Sequence, residues 1–317
     1  MKIVFLEEST ITIDDIDFSC YEALGEYVSY PISRTEEETI ERSAGAPIVI
    51  ANKAPMTERV MTSLPDLRLV AVIATGYNNV DIPAARARNI RVCNVGGYAI
   101  NTVPQHTFTL ILNLVTHTPQ YMADVKAGDW ASSDDFGLLR YRGFELAGKT
   151  IGIIGMGTIG GGVARIAEGF GMHVLAYDMF DISHTGYPCT ELTSLLRESD
   201  IVTVHCPLTD QTRDLIGAAE IAAMKKTALV INTARGGIIN EPALADALND
   251  DRLGGAGFDV LTKEPPRDGN PLLTAKNTLV TPHTAWSAVE ARQKLVDETA
   301  KNIQAFIEGR ERNVVSS

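Results

Sequence analysis

Three side chains in the second half of the chain have types and positions suited to chemistry on a small carboxylic acid. Arg235, in VINTARGGIIN, follows a strand-like run, and its guanidinium could bind a carboxylate through two parallel hydrogen bonds. His283, in TLVTPH, also follows such a run, and histidine is the commonest proton donor in enzymes. Glu264, in FDVLTKEPP, could hold that imidazole. Together they predict protonation of the carbonyl oxygen of a 2-keto acid whose carboxylate is bound by Arg235.

Each of these residues also has a structural interpretation. Arg235 could form a structural salt bridge, and Glu264 could be a solvated loop acid. A lone histidine after a proline, as at His283, is more often a hydrogen-bonded structural residue than a catalyst. The sequence leaves these alternatives open at this point.

A glycine-rich turn in the same half predicts a dinucleotide site. In TIGIIGMGTIGGGVARIAEGFGMHVLAYD, a predicted strand leads into G-x-G-x-x-G, a helix follows, and the next strand ends at Asp178. The first glycine permits the sharp bend, the second admits the pyrophosphate, the third packs closely, and the helix N-terminus supplies amides. Asp178 could bind ribose hydroxyls and would repel a 2′-phosphate, which favours NAD over NADP. The predicted turn comprises Gly155, Met156, Gly157, Thr158, Ile159 and Gly160.

Strand-like and helix-like segments alternate through almost the whole chain, a pattern typical of parallel sheets covered by helices. The first part has strand-like runs at KIVFL, APIVIAN, LRLVAVIA and IRVCNV. The second part has six such runs, at TIGIIG, HVLAYD, IVTVHC, ALVINT, GAGFDV and TLVTPH. The fold class is therefore predicted to be α/β, with two Rossmann-like, doubly wound parallel-sheet domains.

Two helices are predicted to connect these domains. One begins near Asn101 with an Asn or Thr cap ahead of Pro104. The other, from Ala288 to Ile307, is amphipathic and is expected to return to the first domain, with its apolar face formed by Val289, Leu295, Val296, Ile303 and Phe306. Residues 1–99 plus 288–317 would then form a flavodoxin-like substrate-binding domain, and residues 100–287 an NAD-binding Rossmann domain. We expect an interdomain cleft that holds the site and excludes water by hinge closure.

Composition narrows the partners and the location. With 317 residues, 45% of them hydrophobic and 21% charged, the chain is typical of globular proteins, and its net charge of −12 disfavours nucleic acid and anionic membranes. The N-terminus lacks the apolar core of a signal peptide and no run reaches membrane-spanning length, so the protein is expected to be cytoplasmic. The cysteines have no metal-ligand spacing and no metal site is predicted. A catalytic thiol at Cys206, beside His205, is a minor alternative.

With these residues in place, the chain resembles the D-isomer-specific 2-hydroxyacid dehydrogenase family over essentially its whole length. The family's motifs correspond, in order, to GMGTIG, NTARGG, DVLTKEP and TPHTAW. The resemblance implies that Arg235 binds the substrate carboxylate and carbonyl, that His283 is the general acid or base, and that Glu264 pairs with it. It also implies a homodimer, formed through the helix from Asn101 and the segment to Gly148.

Further site residues follow only from the resemblance. It implies that Asp259 contacts the nicotinamide amide and that amides around Thr75 and Gly76 bind the substrate carboxylate. The remaining residues that it places at the cofactor are His205, Cys206, Pro207, Thr233 and Ala234.

Within the family, NKAPMTERVMTSLPDLRLVAVIATGYNNVD and VPQHTFTLIL look most like glycerate dehydrogenases, also called hydroxypyruvate reductases. Lys53 would then approach the substrate, and NADH would reduce hydroxypyruvate or glyoxylate to D-glycerate or glycolate. Residues 137–140, GLLR, stand where aromatic residues are expected after Asp135 and Phe136. That departure leaves D-lactate-type or other short 2-keto acid reductases as alternatives.

Two other classes fit less well. Phosphoglycerate-type dehydrogenases need extra cations for the phosphate and often an added regulatory domain, for which this length leaves no room. NAD-sensing corepressors share the fold and bind the cofactor without useful turnover. The presence of Arg235, Glu264 and His283 in one chain, and the lack of a long polar tail, argue against a corepressor.

Overall fold

The structure, a computed structural model, describes residues 1–316. The chain divides into two compact units, one formed by Met1–Ala99 with the residues from Ser287 on, the other by Ile100–Trp286. Each unit is built around one parallel β-sheet, which confirms the predicted α/β class.

The first unit contains a five-stranded parallel sheet in the order β2-β1-β3-β4-β5, the flavodoxin-like order. β1, β3 and β4 are short runs rich in Val and Ile and are almost fully buried, as expected for strands covered on both faces. The elements are β1 (Lys2–Phe5), α1 (Ser19–Glu22), β2 (Glu26–Ser29), α2 (Glu36–Ser43), β3 (Ile48–Ala51), α3 (Glu58–Thr62), β4 (Leu69–Val72), α4 (Ile82–Ala87) and β5 (Arg91–Cys93).

The second unit contains a six-stranded parallel sheet in the order β11-β10-β9-β8-β6-β7. Strand order reverses beside β6, so the turn that follows β6 lies at the topological switch point where such sheets bind ligands. The elements are α5 (Thr102–Thr116), α6 (Thr118–Ala127), β6 (Thr150–Ile154), α7 (Thr158–Gly169), β7 (His173–Tyr177), α8 (Leu192–Glu198), β8 (Ile201–Val204), α9 (Ala218–Ala223), β9 (Leu229–Asn232), α10 (Glu241–Asn249), β10 (Gly255–Phe258) and β11 (Thr278–Val280). All six predicted strands are present.

The last helix, α11 (Val289–Ile307), packs on β4 and α1 of the first unit, as predicted. Leu295, Val296 and Ile303 are buried there, but Val289 is 42% exposed and does not belong to the packed face. The structure therefore does not bury Val289, the first residue of the helix, together with Leu295, Val296 and Ile303.

The predicted cap of α5 was also wrong in its chemistry. Asn101 occupies the N-cap position, but its backbone is in the helical region and its side chain makes no capping hydrogen bond. Extended backbone is what normally brings a cap side chain over the first free amides. Helix α5 packs on α7, β9 and β10.

The described part of the chain contains neither a helix that could span a membrane nor a cluster of metal-ligating side chains. Among residues 1–316, no helix combines the length and the apolar composition needed to cross a bilayer. The same residues contain no group of three or more His, Cys, Asp or Glu side chains arranged to hold a metal ion.

Candidate active site

His283 and Glu264 form a direct hydrogen-bonded pair. The loops that carry them follow β11 and β10, which are neighbours in the sheet. Nδ1 of His283 lies 2.6 Å from Oε2 of Glu264, while Nε2 has no hydrogen-bond partner among residues 1–316. Both side chains are about one-third exposed, at 38% and 33%. Glu264 therefore orients the imidazole through Nδ1, while Nε2 stays accessible to a ligand, as proton transfer requires.

The Glu264 carboxylate is held by its own loop. Its second oxygen, Oε1, accepts the N–H of Leu261 at 2.8 Å. The buried Glu241, at the start of α10, accepts the N–H and hydroxyl of Thr262 at 2.6 and 2.8 Å and the amide of Asn270 at 2.6 Å. Glu241 thus ties both ends of the Glu264 loop together. No sequence spacing singled it out, because its partners are scattered along a loop.

The backbone at His283 has a left-handed conformation, with φ of 56°. Asp259, only 1% exposed, supports it. Its Oδ1 accepts the hydroxyl of Thr281 at 2.6 Å and the N–H of Thr284 at 2.8 Å, and Oδ2 accepts the N–H of Ala285 at 2.8 Å. Both carboxylate oxygens therefore organise the His283 loop. The nicotinamide contact implied for Asp259 stays a prediction beside this observed structural role.

Helix α5 supports two of the strand ends that form the site. Nε2 of His106 lies 2.9 Å from the hydroxyl of Thr281, two residues before His283. The next residue, Thr107, is buried, and its hydroxyl lies 2.9 Å from that of Thr233. Adjacent residues of one helix thus brace the loops after β11 and β9.

Arg235 is exposed, and among residues 1–316 it has no carboxylate partner. Its Nη1 donates only to the neighbouring carbonyl of Ala234, at 2.7 Å. Asn232, buried at the end of β9, fixes the turn by donating to the Arg235 carbonyl and accepting the Ala234 N–H. The structural salt bridge considered for Arg235 is absent from the described chain. The guanidinium is available to an anionic ligand.

The glycine after Arg235 brings that turn against the Glu264 loop. A Cβ on Gly236 would lie 2.0 Å from the carbonyl carbon of Leu261, a distance that no side chain can occupy. The turn carrying Arg235 and the loop carrying Glu264 therefore pack backbone to backbone.

The glycine turn after β6 has the properties of an anion-binding site. Gly155 has φ of +94°, and a Cβ there would lie 2.6 Å from the Cys206 nitrogen. A Cβ on Gly160 would lie 2.1 Å from the Gly155 carbonyl oxygen, whereas the space around Gly157 is open. Helix α7 begins directly after Gly157 with no side-chain cap. Its first amides are thus free to meet a pyrophosphate.

Asp178, at the end of β7, faces this turn. Its Oδ2 accepts the N–H of Met156 at 2.7 Å and its Oδ1 accepts the N–H of Phe180 at 3.1 Å. The carboxylate is therefore fixed against the turn by backbone donors. Each oxygen retains capacity to accept a further hydrogen bond.

His205 and Cys206 follow β8 and are electrically neutral. Nε2 of His205 lies 2.9 Å from the Thr203 hydroxyl, and its buried Nδ1 has no partner among residues 1–316. Burial lowers the pKa of His205 to about 3. Burial, with a smaller contribution from the charge of Asp178, raises the pKa of the Cys206 thiol to about 11. A nucleophilic thiol needs a lowered pKa, so the environment disfavours the alternative of catalysis by Cys206.

Every predicted cofactor segment of the second unit begins directly after a strand, at the carboxyl edge of the sheet. This edge is where open α/β sheets bind ligands. The positions are Gly155–Gly160 after β6, Asp178 after β7, His205, Cys206 and Pro207 after β8, Thr233 and Ala234 after β9, and Asp259 after β10.

The predicted substrate residues of the first unit also follow adjacent strands. Lys53 comes shortly after β3 and Thr75 and Gly76 shortly after β4, and these strands pair in parallel. Lys53 and Thr75 are exposed, and the Thr75 hydroxyl donates to the Val95 carbonyl at 2.8 Å. The structure therefore groups these residues at one edge of the first sheet.

Residues 108–285 match the model of the D-isomer-specific 2-hydroxyacid dehydrogenase NAD-binding domain. The chain belongs to the D-isomer-specific 2-hydroxyacid dehydrogenase family. As a member of this family it is an oxidoreductase that uses a nicotinamide cofactor. The residues fit that cofactor, since the uncapped α7 N-terminus and the open space at Gly157 suit a pyrophosphate.

Two curated relatives within this dehydrogenase family match the whole chain. A glycerate dehydrogenase of Methylorubrum extorquens is 43% identical over 100% of this chain and 99% of its own length. A hydroxypyruvate reductase of Blautia hydrogenotrophica is 39% identical over 100% of both chains.

One solved structure of similar fold contains NADPH as its cofactor. An acyclic imino acid reductase in complex with NADPH and D-Arg superposes with a TM-score of 0.84. It is 28% identical, and the match covers 99% of this chain and 100% of that one. The choice between NAD and NADP must therefore be argued from this chain's own residues.

Proposed function

We propose that this dehydrogenase reduces hydroxypyruvate, or the smaller glyoxylate, to D-glycerate or glycolate. The observation that carries the proposal is the 2.6 Å hydrogen bond between His283 and Glu264, with Arg235, which lacks a carboxylate partner in the described chain, packed against the same loop through Gly236. The names of the two full-length relatives, a glycerate dehydrogenase and a hydroxypyruvate reductase, favour this substrate over pyruvate.

The residues divide the reaction between them. Arg235 binds the substrate carboxylate and holds the carbonyl in place. A reduced nicotinamide bound at the glycine turn would supply the hydride for the carbonyl carbon. His283 donates a proton from Nε2 to the carbonyl oxygen as negative charge develops there. Glu264 fixes the ring through Nδ1, and its carboxylate stabilises the charged imidazole before the transfer.

The first unit supplies the remaining substrate contacts in this proposal. The ammonium of Lys53 approaches the substrate, and backbone amides at Thr75 and Gly76 bind its carboxylate. Residues 1–99 plus 288–317 are accordingly proposed as the substrate-binding domain, and residues 100–287 as the NAD-binding domain. The exposed positions of Lys53 and Thr75 at one sheet edge support these roles.

NADH is the proposed cofactor in preference to NADPH. The Asp178 carboxylate is fixed against the glycine turn by the amides of Met156 and Phe180, so it cannot easily turn away from a 2′-phosphate. Asp259 is proposed to contact the nicotinamide amide, and the backbone and side chains of His205–Pro207 and Thr233–Ala234 to line the cofactor.

We also propose that the protein is a cytoplasmic homodimer. Helix α5 and α7 border an open groove of about 550 Å³ that is lined by residues such as Pro104, Phe108 and Ile166. Between α6 and β6, Phe136 is fully exposed and Leu139 is 95% exposed. Such apolar groups favour a partner surface. Light scattering of the purified protein tests the dimer.

A panel of 2-keto acids with each cofactor tests the proposed reaction. Hydroxypyruvate, glyoxylate, pyruvate and a branched 2-keto acid are assayed with NADH and with NADPH. The proposal expects the highest kcat/KM for hydroxypyruvate or glyoxylate, and a preference for NADH of at least about tenfold. A maximum at pyruvate would favour the D-lactate-type alternative. Tight NADH binding without turnover of any acid would favour a corepressor-like role.

A further inference from the structure

A buried carboxylate in the first unit holds the loop that carries Lys53. Glu7, directly after Leu6 at the end of the β1 segment, is only 2% exposed. Its Oε2 accepts three consecutive backbone N–H groups, from Asn52 at 2.8 Å and from Lys53 and Ala54 at 2.7 Å each. One carboxylate oxygen thus fixes the backbone on both sides of Lys53 as well as at Lys53 itself.

The side chain of Asn52 is held by the same turn. Its Nδ2 donates to the Thr10 hydroxyl at 2.9 Å, and that hydroxyl donates to the Glu7 carbonyl at 2.7 Å. We call Glu7, Thr10 and residues 52–54 the Glu7 clamp. It forms because β1 and β3 pair in parallel, which places the turn after β1 beside the loop after β3.

The chemistry of the Glu7 clamp is unusual for a purely structural loop. Consecutive amides that point to one place form an anion-binding nest. Here the nest is filled by the chain's own carboxylate, so these amides are not available to a substrate carboxylate. Burying a charge is costly unless several charge-assisted hydrogen bonds compensate it. The result is a stiff backbone from which only the exposed Lys53 side chain can reach a ligand.

We propose that Glu7 is a positioning residue for substrate binding, acting through Lys53. The inference rests on the proposed function, in which Lys53 contacts the substrate. The clamp fixes the backbone at Lys53 before the keto acid binds. Less conformational freedom is then lost when the ammonium group contacts the keto acid, which favours binding. Glu7 therefore contributes to the affinity for the keto acid and not to the affinity for NADH.

The test compares four variants of the full-length protein with wild type in NADH-dependent reduction of hydroxypyruvate. Glu7→Gln removes the charge with little change in shape. Glu8→Gln makes the same change one residue away, where the carboxylate binds the Tyr27 hydroxyl instead. Lys53→Met removes the ammonium group, and the double variant Glu7→Gln with Lys53→Met completes the cycle. If Glu7→Gln does not fold, Thr10→Val takes its place. Thr10→Val removes the hydroxyl that links the Asn52 side chain to the Glu7 carbonyl.

The expected pattern is selective. Glu7→Gln should raise the KM for hydroxypyruvate about fivefold or more, with the KM for NADH within about twofold of wild type and Glu8→Gln unchanged. Adding Glu7→Gln to Lys53→Met should raise that KM by less than about twofold. Two results would overturn the inference while leaving the proposed function intact. One is a folded Glu7→Gln variant with the wild-type KM for hydroxypyruvate. The other is a double variant in which Glu7→Gln raises that KM as much as it does in the presence of Lys53. Absence of keto-acid turnover in wild type would overturn both.

Discussion

Glu264 and His283 share a 2.6 Å hydrogen bond at the carboxyl ends of two neighbouring strands, while Oε1 of Glu264 is fixed by the N–H of Leu261. The carboxylate therefore has one orientation, and it imposes one orientation on the imidazole. A catalytic acid gains from such fixation because less reorganisation is needed when the proton moves.

Glu264→Gln tests whether the charge matters. The single oxygen of glutamine can still accept a hydrogen bond from Nδ1, although it then gives up the Leu261 N–H. Without the negative charge the side chain stabilises a charged imidazole less, so kcat should fall about 10- to 100-fold. Asp268→Asn is the matched control, because Asp268 is an exposed acid of the same loop that pairs with Lys263. Steady-state kinetics on both variants decide the matter. Equal activity of the two would show that Glu264 is only a loop acid.

His283→Asn removes the imidazole without straining the backbone. Asparagine tolerates the left-handed conformation, with φ of 56°, that His283 adopts. Loss of the proton donor should lower kcat by roughly 100-fold or more, while fluorescence titration should show NADH binding within about threefold of wild type. Retention of most of the wild-type kcat would instead make His283 a structural residue.

Substitution by alanine should change the stability of the protein in opposite directions at two adjacent glycines of α7. A Cβ on Gly162 would lie 2.8 Å from Cγ of Pro104, whereas one on Gly161 meets only the end of Arg165 at 3.8 Å. Gly162→Ala should therefore destabilise the protein by about 1–3 kcal/mol, and Gly161→Ala should stabilise it by about 0.5–1 kcal/mol. Chemical denaturation measures both, and equal shifts would contradict the packing argument.

The glycines also show where sequence analysis reached its limit. The G-x-G-x-x-G pattern predicted the roles of Gly155, Gly157 and Gly160 because a phosphate imposes a fixed spacing. Gly162 has no such spacing, since its requirement comes from Pro104 on another helix. The structure offers no comparable reason for Gly161.

Most of the fold could be predicted from buried strands, whose apolar runs are continuous. β2 was missed because it lies at the sheet edge, where EYVS is only partly buried and has no apolar run. The boundaries of α11 were predicted almost to the residue, but its first residue, Val289, is exposed. Strands that are buried on both faces have continuous apolar runs that can be recognised in the sequence, whereas a partly buried edge strand has no such run.

In the candidate site, the sequence pointed to Arg235, Glu264 and His283, but it did not point to the residues that hold their loops in place. Glu7, His106 and Glu241 were missed because each acts on groups distant in sequence, largely backbone amides or hydroxyls of loops. A backbone amide has the same chemistry in every residue except proline, so its partner carries no sequence signal.

His205 should make the stability depend on pH. Burial lowers the pKa of His205 from 6.5 to about 3 in the folded protein. Below about pH 6.5 the unfolded chain therefore binds a proton at this residue that the folded protein does not bind. The stability from this group is present above that pH and is lost as pH falls toward the folded value. As the pH falls through this window, the free energy of unfolding should decrease for both proteins. The decrease for His205→Gln should be smaller than that for wild type by up to about 1.4 kcal/mol per pH unit.

Urea denaturation from pH 7 down to about pH 5 measures that difference for wild type and His205→Gln. Above about pH 8 the two stability curves should run parallel, which serves as the internal control. Identical slopes below pH 6.5 would mean that His205 takes up a proton in the folded protein.

The most direct test of the account is the discrimination between hydroxypyruvate and hydroxyacetone, which differ in the carboxylate that Arg235 is proposed to bind. With NADH, wild type should prefer hydroxypyruvate in kcat/KM by about 1,000-fold or more, since the charge-assisted contact proposed between Arg235 and the carboxylate is lost with hydroxyacetone. Arg235→Ala should lose most of that preference, because it should slow the reduction of hydroxypyruvate much more than that of hydroxyacetone. Comparable rates for both substrates in wild type, or an unchanged preference in Arg235→Ala, would contradict the central claim.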